Sequence, residues 1–191
     1  MNIIFFGSPN YSCKVIGSLL TSKHVVQAVI TQNFKNNRRI KTPVGLFSES
    51  KNINTLYPAN LADKKFIKML KSYNADLYII YAYGKILPPE LIVLPKYGVI
   101  NIHCSLLPKW RGAAPIQRAL QNGDQQTGVT FFKIDESLDT GEIISSYEYS
   151  IEDNDDALSL QDKLTQIAID HLEEVISLNL KSSKFTQQSE L

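Results

Sequence analysis

The sequence predicts an α/β fold: a Rossmann-like open, mostly parallel twisted sheet flanked by helices, with an antiparallel portion near its C-terminal end. Three observations predict it. The apolar runs 2–6, 25–31 and 77–81, and the run carrying Asn101 and His103, are short and nearly free of polar residues, as strands covered on both faces are. Segments with helical spacing alternate with these runs, which is the βαβ pattern of a parallel sheet. Two further strand-like stretches, 127–134 and 142–150, face each other across 135–141, and such neighbours pair antiparallel.

Taken in order, the chain opens with a strand at 2–6 that ends at Gly7-Ser8-Pro9, where Ser8 is placed to cap a helix whose first turn tolerates the proline. That helix shows its apolar positions at Val15, Leu19 and Leu20 and leads into a second strand at 25–31. Residues 32–41 are polar and basic, with Lys35, Arg38, Arg39 and Lys41, and read as an exposed loop. A short helix from Pro43 or Val44, a brief strand near 53–56 and a helix around 62–70 precede the buried strand at 77–81. After the turn 83–89 a short helix over 91–93 leads to the strand with Asn101 and His103; 116–120 is helical and stops near Asn122-Gly123-Asp124. The last helix spans about 158–178, with Leu160, Leu164, Ile167, Ala168, Leu172, Val175 and Ile176 as its apolar stripe. Residues 1–180 read as one domain and 181–191 as a polar tail or the start of a linker.

Composition narrows the function classes. A length of 191 residues supports one substantial core. A net charge of +1 excludes a uniformly basic nucleic-acid coat, so contact with nucleic acid has to come from a local patch. Two cysteines, Cys13 and Cys104, are too few for a disulfide framework, and no cluster has metal-ligand spacing, which fits a cytoplasmic protein without a metal. The N-terminus lacks a basic flank and a cleavage site, and no apolar run is long enough to cross a bilayer. Gly7 stands alone after the first strand where a dinucleotide site would want Gly-x-Gly-x-x-Gly, and a P-loop is missing as well.

The chemistry is densest between Gly98 and Pro115. Strand alternation sends Asn101 and His103 to one face and Ile100, Ile102 and Cys104 to the other, before Pro108, Gly112 and Pro115 stiffen the loop. An amide that can donate to a developing oxyanion and an imidazole that changes charge near neutral pH are what carbonyl chemistry requires. Taken alone, a histidine in an apolar strand is more often a core residue, and Asp139 alone would pass for a turn former. Cys104, turned away from His103, reads as a small buried hydrophobe, and His24 and His171 show no partner pattern.

The run Asn101-Ile102-His103-Cys104-Ser105-Leu106-Leu107-Pro108-Lys109-Trp110-Arg111-Gly112 resembles the signature of the folate-dependent formyltransferases, and with Ala113-Ala114-Pro115-Ile116-Gln117-Arg118 it is most similar to the group that acts on methionyl-tRNA. Leu138-Asp139-Thr140-Gly141 resembles the family's Leu-Asp-Thr-Gly segment. The resemblance implies that Asn101, His103 and Asp139 are catalytic, that no covalent acyl-enzyme forms, and that 10-formyltetrahydrofolate is the formyl donor. It places the folate between the Asp139 loop and the turn after the fourth strand, with contacts from Tyr83, Gly84, Ile86, Leu87, Pro88, Ser105, Leu106, Leu107 and Pro108. A carboxylate beside His103 is expected to raise the imidazole pKa, and Gly141 to let the backbone turn tightly behind it. The tRNA would meet Lys35, Arg38, Arg39, Lys41 and Arg111, and a monomer is expected.

Departures from the family pattern are few. Gly7-Ser8-Pro9-Asn10-Tyr11 stands for the usual Gly-Thr-Pro-Asp-Phe, Cys104 for a small Gly or Ala, and Glu142 for Asp. The basic stretch is shorter than the family's tRNA-gripping insertion, and the C-terminal β-barrel domain of those enzymes lies beyond this sequence. Two other readings compete: an amino-sugar nucleotide N-formyltransferase with the same Asn, His and Asp, and a non-catalytic remnant that binds folate or tRNA.

Overall fold

A computed structural model describes residues 1–32, 34–35, 38–181 and 185–189, with backbone only at 34, 35, 38 and 39. The chain divides into two compact units, Met1–Ile100 and Asn101–Leu191.

The first unit contains strand β1 (Asn2–Gly7), helix α1 (Asn10–Thr21), strands β2 (Val25–Ile30), β3 (Phe34–Lys35) and β4 (Arg38–Arg39), helix α2 (Pro43–Ser50), strand β5 (Thr55–Leu56), helix α3 (Lys64–Ser72), strand β6 (Leu77–Tyr81), helix α4 (Pro89–Ile92) and the beginning of β7 (Val99–His103). Its strands run in the order β5-β2-β1-β6-β7. β1 is paired parallel on both sides, so that Phe5 sits opposite Val29 on β2 and Ile79 on β6, and β5 is parallel to β2. Every residue of β6 and all but the first of β1 are buried, as their uninterrupted apolar sequences require. Val15, Ile16 and Leu19 bury the inner face of α1.

Two helices of this unit start where the sequence provides a cap. The Thr42 hydroxyl accepts the Gly45 N–H at 3.1 Å ahead of α2, and the Asp63 carboxylate accepts the Phe66 N–H at 2.9 Å ahead of α3. Replacing Asp63 with alanine is expected to lower stability by about 1 kcal/mol, read from the midpoint of urea unfolding at constant m. Ser8 is not a cap: α1 has Pro9 at its N-cap without a side-chain bond, and the Ser8 hydroxyl donates instead to the Tyr83 carbonyl at 3.4 Å. The stretch expected to be a loop carries a two-residue antiparallel ladder, β3 to β4, with Phe34 opposite Arg39 and Lys35 opposite Arg38. A ladder that short is a backbone event, and polar composition carries no signal for it.

The second unit holds the remainder of β7, helix α5 (Pro115–Gln121), strands β8 (Gln126–Lys133) and β9 (Ile143–Ser150), and helix α6 (Ala157–Lys181). Its strands follow the order β7-β8-β9, with β8 and β9 antiparallel and in a register that sets Thr127 against Tyr149 and Phe131 against Ser145. The predicted antiparallel portion is therefore present. The stripe Leu160, Leu164, Ala168, Leu172, Val175 and Ile176 is buried where α6 meets β8 and β9, while Ile167 is half-buried. Residues 185–189 are not a detached tail. Thr186 and Ile143 exchange two backbone hydrogen bonds, of 3.1 and 2.8 Å, extending the pairing at the start of β9.

Candidate active site

His103 ends β7, and its buried ring is fixed from one side by the loop that follows. Its Nε2 lies 2.9 Å from the Trp110 carbonyl oxygen. A carbonyl can only accept, so Nε2 carries the proton and a neutral imidazole has its lone pair on Nδ1. Trp110 is itself anchored: its indole N–H donates to the Asp124 carboxylate at 2.7 Å, and the Lys109 ammonium meets the same oxygen at 2.8 Å. The buried Ser105 hydroxyl donates to the Lys109 carbonyl at 2.6 Å, and the Thr130 hydroxyl on β8 donates to the Ser105 carbonyl at 2.7 Å while accepting the Leu107 N–H at 3.1 Å. The Leu107–Pro108 peptide is cis. Asp124 and Thr130 give no motif-like signal in the sequence; the fold alone reveals their part in orienting His103.

Asp139 approaches the other ring nitrogen, its Oδ2 3.7 Å from His103 Nδ1. That separation exceeds a direct hydrogen bond. The same Oδ2 accepts the Gly112 N–H at 2.7 Å, which ties the aspartate loop to the signature loop. Asp139 has φ +53°, and Trp110 and Ala114 have φ +62° and +58°. Left-handed backbone at three non-glycine residues costs about 1–3 kcal/mol each and concentrates where a fold holds groups for function. Within the aspartate loop the Asp135 carboxylate accepts the Ser137 N–H and the Thr140 hydroxyl, each at 3.0 Å. Gly141 is needed for close approach: a Cβ there would lie 1.8 Å from the Lys133 carbonyl oxygen. The expected tight turn at Gly141 is thus a contact with β8.

Burial dominates the electrostatics of His103 and holds its pKa below the ordinary imidazole value, while the Asp139 carboxylate and the Trp110 carbonyl pull it upward. The net direction is opposite to the increase expected from the sequence, because desolvation of the buried ring outweighs a carboxylate that does not touch it. Asp124 is shaped by similar opposition: burial pushes its carboxyl up, but Lys109, Asn122 and Trp110 together bring it below its usual value. Asn101, half-buried, lies two residues before His103 on β7 and therefore on the same strand face. Its amide is not engaged by the described residues. Cys104 is buried, and its sulfur is 3.7 Å from the Gln161 amide of α6.

Other predicted site residues occupy varied settings. In the first unit, the Tyr83 ring is enclosed against Phe6, with centroids 5.5 Å apart, and its carbonyl accepts the Gln32 amide at 2.5 Å. Gly84 has φ +77°, Ile86 is 77% exposed, Leu87 is buried and Pro88 is half-buried. In the second unit, Ser105 and Leu107 are buried, whereas Leu106 and Pro108 are partly open. Lys41 is exposed and pairs with Glu49 at 2.5 Å, while the side chains of Lys35, Arg38 and Arg39 lie outside the described residues. Arg111 donates to Gln188, a partner with no signal in the sequence. Among the described residues, no group of three His, Cys, Asp or Glu side chains could hold a metal ion, and no helix is long and apolar enough to cross a membrane.

Comparison with known proteins places this geometry in context. The chain is 45% identical over 170 residues to the methionyl-tRNA formyltransferase of Prochlorococcus marinus strain MIT 9312, covering 86% of this chain and 52% of that protein. It is 41% identical over 181 residues to the methionyl-tRNA formyltransferase of Francisella philomiragia, covering 92% and 58%. It thus spans between half and three-fifths of the length of these relatives. The crystal structure of phosphoribosylglycinamide formyltransferase from Bacillus halodurans shares the fold, with a TM-score of 0.76 at 24% identity over 96% of both chains. Glycinamide ribonucleotide transformylase 1 from Symbiobacterium toebii does so with a TM-score of 0.79 at 17% identity, covering 100% of this chain and 94% of that one. The formyl transferase family model matches residues 1–176, a span that contains Asn101, His103 and Asp139, and the chain therefore belongs to that family.

Proposed function

We propose that this chain transfers a formyl group from 10-formyltetrahydrofolate to the α-amino group of methionyl-tRNA, with Asn101, His103 and Asp139 as its catalytic residues. The observation that carries the reading is His103 held between a carbonyl at Nε2 and a carboxylate facing Nδ1. Attack of the amine on the formyl carbon forms one C–N bond and places negative charge on the formyl oxygen; expulsion of the folate nitrogen breaks the other. The Asn101 amide donates to the oxyanion, and such a donor is worth about 3 kcal/mol in other enzymes. His103 Nδ1 takes the amine's proton, with Asp139 balancing the imidazolium and a water spanning the gap, and the proton passes to the departing nitrogen. The acceptor assignment draws on the likeness to methionyl-tRNA formyltransferases. The same reading makes residues 1–180 the catalytic domain and takes the protein as a cytoplasmic monomer without a metal. It keeps as folate contacts the residues the resemblance implies, Tyr83, Gly84, Ile86, Leu87 and Pro88 and Ser105, Leu106, Leu107 and Pro108.

The test offers 10-formyltetrahydrofolate with methionyl-tRNA and, separately, with a 4-amino-4-deoxysugar nucleotide. Formylmethionyl-tRNA is the expected product. Efficient transfer to the sugar alone would reassign the acceptor, and donor binding without turnover on either would make the chain a binding remnant.

The basic stretch supplies a further expected result. Neutralising Arg38 and Arg39 is expected to raise KM for methionyl-tRNA and to reduce the log–log salt slope of binding by up to about two units, one per phosphate contact. Adding Lys41 changes the slope less, because Glu49 already holds that ammonium. Turnover at saturation stays near wild type, and a slope unchanged by all three substitutions would leave the stretch a solvated surface.

A further inference from the structure

Residues 185–189 lie along the loop that carries Asp139. Thr186 pairs with Ile143, the Gln187 amide donates to the Glu142 carboxylate at 2.6 Å, and the Lys133 ammonium sits 5.8 Å above the Phe185 ring. Gln188 is the centre of this strap. Its Nε2 donates to the Asp139 carbonyl at 3.0 Å and to the Gly141 carbonyl at 2.8 Å, and its Oε1 accepts from Arg111 Nε at 3.0 Å and Nη2 at 2.8 Å. A carboxamide offers two donor hydrogens and two lone pairs, and here all four are used. Glutamate would lack the donors and lysine the acceptor.

We infer that Gln188 is a positioning residue for formyl transfer: its amide locks the turn from Asp139 to Gly141, and thereby the carboxylate that faces His103. The inference rests on the proposed roles of Asp139 and His103. Elsewhere the loop is held within itself by the Asp135 bonds to Ser137 and Thr140, while Asp135, Glu136, Ser137 and Leu138 are all exposed and Asp139 keeps a left-handed backbone. Two hydrogen bonds to consecutive parts of that turn hold the Asp139 backbone in place, and the Gly112 N–H on its carboxylate fixes the side chain. A loop that relaxes by about an ångström is enough to cost a catalytic group one or two orders of magnitude.

Gln188→Ala removes both halves of the contact, whereas Gln188→Glu keeps an acceptor for Arg111 and loses only the donors to the two carbonyls. Two readouts are used on the full chain: kcat and KM for formyl transfer across pH, and hydrogen exchange of the Gly112 amide, which needs no turnover. Both variants are expected to lower kcat about 10-fold with little change in KM for the folate, to shift the acid limb of kcat to lower pH as the carboxylate moves off His103, and to speed Gly112 exchange about 10-fold. A loss in Gln188→Ala that Gln188→Glu does not share would assign the effect to Arg111 and overturn the inference, as would Gly112 exchange at the wild-type rate in both variants. If the wild-type chain transfers no formyl group, the proposed function fails by itself, and Gln188 as a residue for formyl transfer fails with it, whatever the exchange shows about the loop.

Discussion

Replacing His103 with alanine is expected to lower kcat for formyl transfer by at least about 100-fold while leaving folate affinity nearly unchanged, because in the proposed mechanism the side chain moves a proton and takes no part in binding the donor. Steady-state kinetics with both substrates, together with equilibrium folate binding, separates the two effects. Burial holds the His103 pKa below its ordinary value of about 6.5, so the ring is neutral at pH 7 and ready to accept a proton. The acid limb of kcat therefore falls below pH 6.5. Asp139→Asn is expected to cut kcat comparably and to move that limb lower still, since the carboxylate favours the imidazolium more than the Trp110 carbonyl, the other group that does so. Stability follows the same sign. As pH falls from about 6.5 toward the lower folded value, the unfolded chain takes up the proton first, so His103 makes the fold less stable through that window and adds no further loss below it. His103→Gln abolishes this contribution, and urea unfolding of both proteins at pH 7 and pH 5 measures the difference. A limb above pH 6.5, or full turnover in His103→Ala, would refute the assignment.

Gly141→Ala is expected to be the most damaging single methyl in the second unit. The new Cβ would sit 1.8 Å from the Lys133 carbonyl oxygen and 2.9 Å from its carbon, both backbone atoms of β8 that cannot swing aside. Relieving the clash means separating the aspartate loop from β8, at an expected cost of about 3 kcal/mol or more in stability. The same displacement carries Asp139 away from His103, so kcat falls in whatever fraction remains folded. Gly17→Ala is the matched control: that glycine lies inside α1 with nothing within 4 Å of an added Cβ, and the substitution is expected to stabilise by about 0.5–1 kcal/mol. Thermal unfolding of the two variants beside the wild type decides between a clash and a generic intolerance of side chains at glycine.

What the sequence by itself determined is the part of the molecule governed by local rules. Largely apolar runs marked β1, β2 and β6, and the spacing of Leu160, Leu164, Ala168 and Leu172 set the buried face of α6. Alternation along β7 put Asn101 and His103 on one face, and the motif at 138–141 nominated Asp139 from a distant stretch of chain. Tertiary structure decided what depends on distance between residues remote in sequence. It turned the expected upward pull of Asp139 on His103 into a net decrease, because the balance between desolvation and a charge 3.7 Å away is a property of packing. It chose the Nε2–H tautomer through a backbone carbonyl at Trp110, an acceptor that every residue possesses and no sequence pattern marks. It also joined Gln188 to Asp139 and Arg111, 49 and 77 positions away. Composition had marked that stretch as tail, since a polar segment owes its order to partners that come into reach only when the chain is folded.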